Sequence, residues 1–281
     1  RLPLGAWLAI GWLVLMIGSA VLAPILPLND PNAEVASVPK LSPGLEGLIF
    51  GADDNGRDLF SRVIYGGRTS LAIAFSAVLM GFVIGGLLGL ISGYFRNWIG
   101  NILTGLFDIL LAIPGLVLAM ALVAILKGSP DEAGGFKLPT ILILILALGI
   151  VSIPLLARIT RGNTLSWSQR DFVTAARAQG ATHRRIIFRE ILPNVLPSMV
   201  YIALLAIAIA IVAEGGLAIL GVSMDPPAAT WGTMIDTGRS DMEDAPFIMF
   251  IPIVALFLTV MALNHLGDVI RDRFDVRESA L

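Results

Sequence analysis

The chain has 281 residues, 56% of them hydrophobic and 14% charged, with a net charge of −2 and a mean hydropathy of +0.85. Soluble domains are about 25% charged, so this composition excludes a water-soluble enzyme and also a disordered chain, while the near-neutral balance leaves no basic footprint for nucleic acid. There is no cysteine to supply a disulfide or thiolate metal site, and the two histidines lie too far apart in sequence to suggest a metal centre.

A helix crosses the hydrocarbon with about 20 apolar residues. Charge-free runs occupy 2–29, 69–95, 138–157, 191–213 and 245–264, and a sixth, 109–126, reaches spanning length when extended back through Asp108. These predict an all-α polytopic membrane protein forming a single transmembrane domain over 1–281. Its six spans are placed at about 5–27, 69–95, 100–126, 139–158, 197–221 and 246–266. The strands of a membrane barrel would instead alternate apolar and polar residues in runs of about ten. The first span is longer than the core of a signal peptide and lacks a basic leader. Because the chain begins with Arg1 rather than Met, an N-terminal tail is expected to precede it.

Charge sets the orientation. With both termini cytoplasmic, the inside segments hold 12 of the 19 basic residues, seven of them arginines between Arg158 and Arg189, against six acids. The outside segments hold the other seven basic residues and 13 acids, so the two sides differ as +6 and −6, in keeping with the positive-inside rule. Three connections are too long for turns: 28–68 outside, 159–196 inside and 222–245 outside. Long ordered loops carry function more often than short ones. The Gly-rich connection 127–137 reads as plain, and 267–281 as a cytoplasmic tail.

The chain cannot bind ATP through a P-loop, which requires Lys directly after Gly. Its three lysines, Lys40, Lys127 and Lys137, follow Pro39, Leu126 and Phe136. Two acids fall within spans. Asp108 lies six residues before the Pro114–Gly115 break, and Glu214 precedes Gly215 and Gly216. Each has two readings: a proton-relay or pathway group, which would make the chain a proton-coupled secondary transporter, or a carboxylate satisfied by a neighbouring helix. Gly81, Gly85, Gly89 and Gly93 recur every four residues and read as a stripe for close helix packing.

The inside stretch 169–194, QRDFVTAARAQGATHRRIIFREILPN, reads as two short helices. The first, 170–179, places Phe172, Ala175, Ala176 and Gln179 on one face and ends at Gly180, which tolerates the left-handed cap conformation. The second, 182–192, mixes Arg184 and Arg185 with Ile186, Ile187 and Phe188, has Thr182 as its cap and stops at Pro193. Such a pair rests on lipid headgroups or presents its Ala-rich face to a cytosolic partner.

This loop resembles the EAA loop of ABC importer permeases, E-A-A-x-x-x-G followed by I-x-L-P. Thr174-Ala175-Ala176 precede Gly180, and Leu192-Pro193 close the motif, with Thr174 in place of the Glu and Glu190 in place of the Ile. Asp53, Arg57 and Asp58 lie in a segment, 51–71, that is similar to G-T-D-x-x-G-R-D…S-R…G-x-R-x-S-L of the dipeptide/oligopeptide permease family. Glu214 to Gly221, Pro226-Pro227 and Trp231-Gly232 resemble its E-x-x-L-S-F-L-G-L-G…P-P…W-G. Asn264, Gly267, Asp268, Arg271 and Asp272 resemble N-x-x-G-D-x-x-R-D. The match is to the second permease type and runs from about residue 50 to 277.

The resemblance implies a type I ABC importer permease in the bacterial inner membrane, lining half of a path for dipeptides or short peptides. The family's cargo extends to haem and metal chelates. It also implies a homologous permease as heterodimer partner, two ATPase subunits that bind ATP and Mg, and an extracytoplasmic substrate-binding protein, with no cofactor in this chain. ATPase coupling falls to Asp171, Phe172, Thr174, Ala175, Ala176, Gly180, Arg184 and Arg185, and outside contacts to Asp53, Arg57, Asp58 and Trp231.

Overall fold

A computed structural model describes residues 2–128 and 138–278. Arg1, the connection at 129–137 and the tail residues 279–281 lie outside the described residues, and side chains are described as far as Asp272. The helices are α1 (Leu4–Leu22), α2 (Leu59–Tyr94), α3 (Trp98–Ala112), α4 (Gly115–Lys127), α5 (Thr140–Trp167), α6 (Asp171–Ala178), α7 (His183–Ile219), α8 (Trp231–Arg239) and α9 (Phe247–Glu278). Among the described residues no strand forms, only two isolated bridges in the segment before α2.

Five helices, α1, α2, α5, α7 and α9, are long and apolar enough to cross a membrane. The expected third span is not one helix. It is the pair α3 and α4, bent by 92° at the break. Pro114 has no N–H to continue the ladder and disfavours helical geometry in Ile113, whose ψ is 129°. Neither piece, at 15 and 13 residues, matches the roughly 30 Å hydrocarbon thickness alone.

Except for α1, which ends at Leu22 short of the expected 27, the long helices overrun their apolar runs, because absence of charge marks the depth of hydrocarbon and not the length of helix. α2 starts at Leu59, ten residues before the charge-free run. The Asp58 carboxylate accepts the Phe60 N–H at 3.1 Å and caps a helix of 36 residues. α5 continues to Trp167, and α9 to Glu278.

The amphipathic segment expected to stop at Pro193 does not stop there; α7 runs through Pro193 and Pro197 to Ile219. Residues Ile186–Ile191 form a π-helical turn immediately before Pro193. The wider turn shifts the hydrogen-bond register where proline supplies no donor, so the chain changes ladder rather than ending.

The glycine stripe packs α2 on α5 at backbone distance. A methyl group at Gly85 would lie 2.5 Å from the Ile153 carbonyl oxygen, at Gly89 2.5 Å from that of Ala157, and at Gly93 2.7 Å from Thr164 Cβ. Gly81 stands against the Ser152 hydroxyl, and that hydroxyl donates across the seam to the Ala77 carbonyl at 3.2 Å. A π-helical turn, Gly81–Gly85, opens this seam.

Three apolar clusters flank it. One joins α1, α2, α7, α8 and α9 through Leu13, Leu59, Ile211 and Trp231. A second joins α2, α4, α5 and α7 through Ile73, Val123, Leu144 and Leu217. The third lies at the Arg-rich end, where Val173 and Ile186 meet Leu90, Tyr94 and Met199.

Candidate functional site

Glu214 is 1% exposed and has its carboxylate fully engaged. Ser223 Oγ and Thr230 Oγ1 donate to Oε1 at 2.7 and 2.8 Å, and Ser70 Oγ donates to Oε2 at 3.2 Å. Ser70 Oγ in turn accepts the Trp231 backbone N–H at 3.0 Å. Thr230 and Thr233 form a reciprocal capping box at the start of α8, which brings this short helix down onto α2 and α7. The carboxylate is thus satisfied by neighbouring elements of the chain. Trp231, expected among the outside contacts, is instead fully buried: its indole N–H donates to the Val63 carbonyl at 2.9 Å and its ring closes on Gly67.

Asp53, Arg57 and Asp58 meet in one network beside this node. Asp53 Oδ1 accepts the backbone N–H groups of Asn55 and Arg57 at 2.9 Å, and Oδ2 takes Arg57 Nε at 2.7 Å and Arg62 Nε at 3.1 Å. Asp58 Oδ2 accepts from Ser61 Oγ at 2.6 Å and Asn29 Nδ2 at 3.0 Å. Buried Arg62 also donates to the Pro31 carbonyl at 2.8 Å, so the segment before α2 is folded onto the helix that follows it.

Lys127 and the Thr140 hydroxyl bind Asp225 at 3.0 and 3.1 Å, and together they hold its carboxyl below the ordinary carboxylate range. With its pKa depressed on folding, this tie acts in full above the usual carboxylate range and is lost as pH falls through the lowered value. Lys127→Ala should therefore cost less than about 1 kcal/mol at neutral pH. The difference from wild type should vanish in acid, as thermal unfolding at the two pH values will show.

At the opposite end, α6 closes in a Schellman cap. Ala181 N–H bonds the Ala176 carbonyl and Gly180 N–H bonds the Arg177 carbonyl, both at 3.0 Å, with Gly180 at φ +81°. Thr182 caps α7 by accepting the Arg185 N–H at 3.4 Å. Val173, not the Ala face, anchors α6: it is fully buried, and Ala176 packs beside it. Asp171, Phe172, Thr174 and Ala175 remain exposed, as do Gly180, Arg184 and Arg185.

Asp108 differs from Glu214. It is exposed on α3 and has no hydrogen-bond or ion-pair partner among the described residues, so no neighbouring helix of this chain satisfies it. An apolar cavity of about 540 Å³ begins at the first residues of α4, lined by Gly115, Leu116, Val151, Val212, Gly216 and Asn264. A smaller hollow of about 240 Å³ shares Val212 and Gly216 and continues to Ile219 and Ile235.

Residues 85–279 match the family described as the inner membrane component of binding-protein-dependent transport systems. The chain belongs to this family. A glutathione transport system permease protein, GsiD of Pectobacterium atrosepticum, is 40% identical over 226 residues, covering 80% of this chain and 71% of that protein. A dipeptide transport system permease protein, DppC of Alkalihalophilus pseudofirmus, is 36% identical over 256 residues, covering 91% and 80%. The fold is that of a type I importer permease: the MetNI methionine ABC transporter in an inward-facing conformation superposes with a TM-score of 0.62 at 21% identity, over 75% of this chain and 95% of that one.

Several residues of this permease escaped the sequence reading. Ser70, Ser223 and Thr230 are ordinary hydroxyl residues until the fold gathers them on Glu214, and Thr233 stands where the usual capping pattern has Glu or Gln. Val173 hides among smaller residues of α6, and Tyr94 lies 89 residues from the histidine it bonds.

Proposed function

We propose that this chain is one of two homologous permease halves in an ATP-driven importer of short peptides, with its termini in the cytoplasm. An extracytoplasmic binding protein delivers the cargo, and two ATPase subunits dock on the Arg-rich end. The peptide and glutathione permeases among its relatives support the substrate class. The observation that carries the coupling role is α6: a rigid, Schellman-capped surface helix fixed by Val173, with Phe172, Thr174 and Ala175 left uncovered.

The wall of the path is α4 and α7 around the apolar cavity at the helix break. Asp108 supports the same arrangement, because an uncovered carboxylate at bilayer depth is costly in lipid and belongs against protein or water. Access then alternates as ATP binding draws the ATPase pair together and moves α6.

Ala175→Glu tests the docking role better than Ala176→Glu, since Ala176 already packs against the bundle. A carboxylate buried in an Ala-sized contact disfavours docking by several kcal/mol. Substrate-stimulated ATP hydrolysis by the reconstituted importer should fall more than tenfold while the permease still inserts. Unchanged stimulation would sink the role of α6.

A further inference from the structure

Tyr94 ends α2 and is 7% exposed. Three elements of the Arg-rich end meet on its ring. The Arg177 guanidinium of α6 lies over the ring face, 5.3 Å from the centroid. His183, the first residue of α7, has Nδ1 2.8 Å from the phenol oxygen and its ring edge-on at 5.6 Å. Phe95 adds a second edge-on contact at 5.0 Å.

We propose that Tyr94 is a positioning residue that fastens α6 and the start of α7 to the end of α2, so that a push on α6 reaches the bundle. The proposal rests on the reading of α6 as the ATPase docking helix. Val173, with Ala176 beside it and Phe172 against the Trp167 ring, holds α6 by apolar contact, which resists separation more than sliding or rotation. The short turn through Gly180, at a left-handed φ, joins α6 to α7 by backbone only. Tyr94 adds directional contacts to each side of that turn: a hydrogen bond on the α7 side and a cation–π contact on the α6 side. α2 in turn bears on α5 through the glycine stripe, a contact of backbone on backbone with little slack. One route from α6 to the bundle thus runs through Arg177 and His183 to Tyr94 and then the stripe, beside the direct link to α5 through residues 168–170 and the Phe172–Trp167 contact.

The test measures transport and ATP hydrolysis on the same reconstituted importers. Tyr94→Phe keeps the ring, its packing and the cation–π contact and deletes only the bond to His183. Transport per ATP hydrolysed should fall about fivefold, the size of one lost hydrogen bond in an equilibrium constant. His183→Ala, which also loses the ring contacts with Tyr94 and Phe95, should lower it at least as far, the double variant should be no worse than His183→Ala alone, and His183→Gln, which retains an acceptor, should recover most of the ratio. A residue that merely stabilises the fold would lower the amount of complex and leave this ratio unmoved. An unchanged ratio in Tyr94→Phe, or additive losses in the double variant, would overturn the proposal; where Tyr94→Phe assembles poorly, the two His183 variants decide it. If Ala175→Glu uncouples and these variants do not, the fastening role alone falls. If Ala175→Glu also has no effect, the docking reading falls and takes this proposal with it.

Discussion

A Glu214→Leu permease should be less stable than wild type by about 3 kcal/mol, read as a lowered midpoint of thermal unfolding in detergent. The cost does not come from losing an acid. It comes from the hydroxyls of Ser70, Ser223 and Thr230, which are 0–7% exposed and would lose their common acceptor without gaining water. An orphaned buried donor costs about 1–3 kcal/mol, and rotation toward backbone carbonyls recovers part of the sum. Glu214→Gln keeps an acceptor oxygen in the node, so about 1 kcal/mol is expected and transport should stay within about twofold. A Gln variant that is as stable as wild type but fails to transport would show that the carboxylate acts in the path rather than in the node.

Gly89→Leu should prevent the permease from accumulating in the membrane, and Gly89→Ala should destabilise it by about 1–3 kcal/mol. The obstacle is the Ala157 carbonyl at 2.5 Å and Thr160 Cβ at 2.6 Å, neither of which can rotate away. Relief requires α2 and α5 to separate along a seam that also holds Gly85 and Gly93. Gly11 of α1 provides the contrast, since nothing lies within 4 Å of a methyl group there. Gly11→Ala should leave stability unchanged or raise it by up to about 1 kcal/mol through helix propensity alone. Comparable losses at both glycines would mean that the stripe is not the seat of the effect. The amount of folded permease on size-exclusion chromatography and its unfolding midpoint distinguish the two.

What could be read from the chain follows the range over which each interaction acts. The five unbroken spanning helices were visible as charge-free runs, and Gly180 announced the end of α6 because only four residues build that cap. Asp58, read from the sequence as part of an outside segment, is the cap of α2. Pro114 and Gly115 marked a break, but its 92° angle depends on packing against α5 and α7, which no local pattern encodes. The passage of α7 through Pro193 was hidden because a π-helical turn has no hydrophobic period of its own. Trp231 looked like a residue for an outside partner. Its place in the core follows from Gly67 and Val63, more than 160 residues earlier. Distance likewise concealed Ser70, 144 positions before Glu214, whereas Ser223 and Thr230 lie only 9 and 16 positions after it and were hidden because the turn that brings them back is not a periodic pattern.

That distance bears on how the protein is made. Ser70 must wait for Glu214, 144 positions later, and for Trp231, 161 positions later, before its bonds can form. Non-local contacts of this kind close late. During synthesis, α1 and α2 therefore enter the bilayer well before the residues that complete the node at Ser70 exist. The stripe on α2 can seat α5 earlier, because its partners Ile153, Ala157 and Thr164 follow within about 70 residues. The molecule is thus zipped first along its middle; the node at Glu214 is fastened once Trp231 has emerged, and α9 closes on α1 after it, since the Trp12 indole bonds Thr259, 247 positions later.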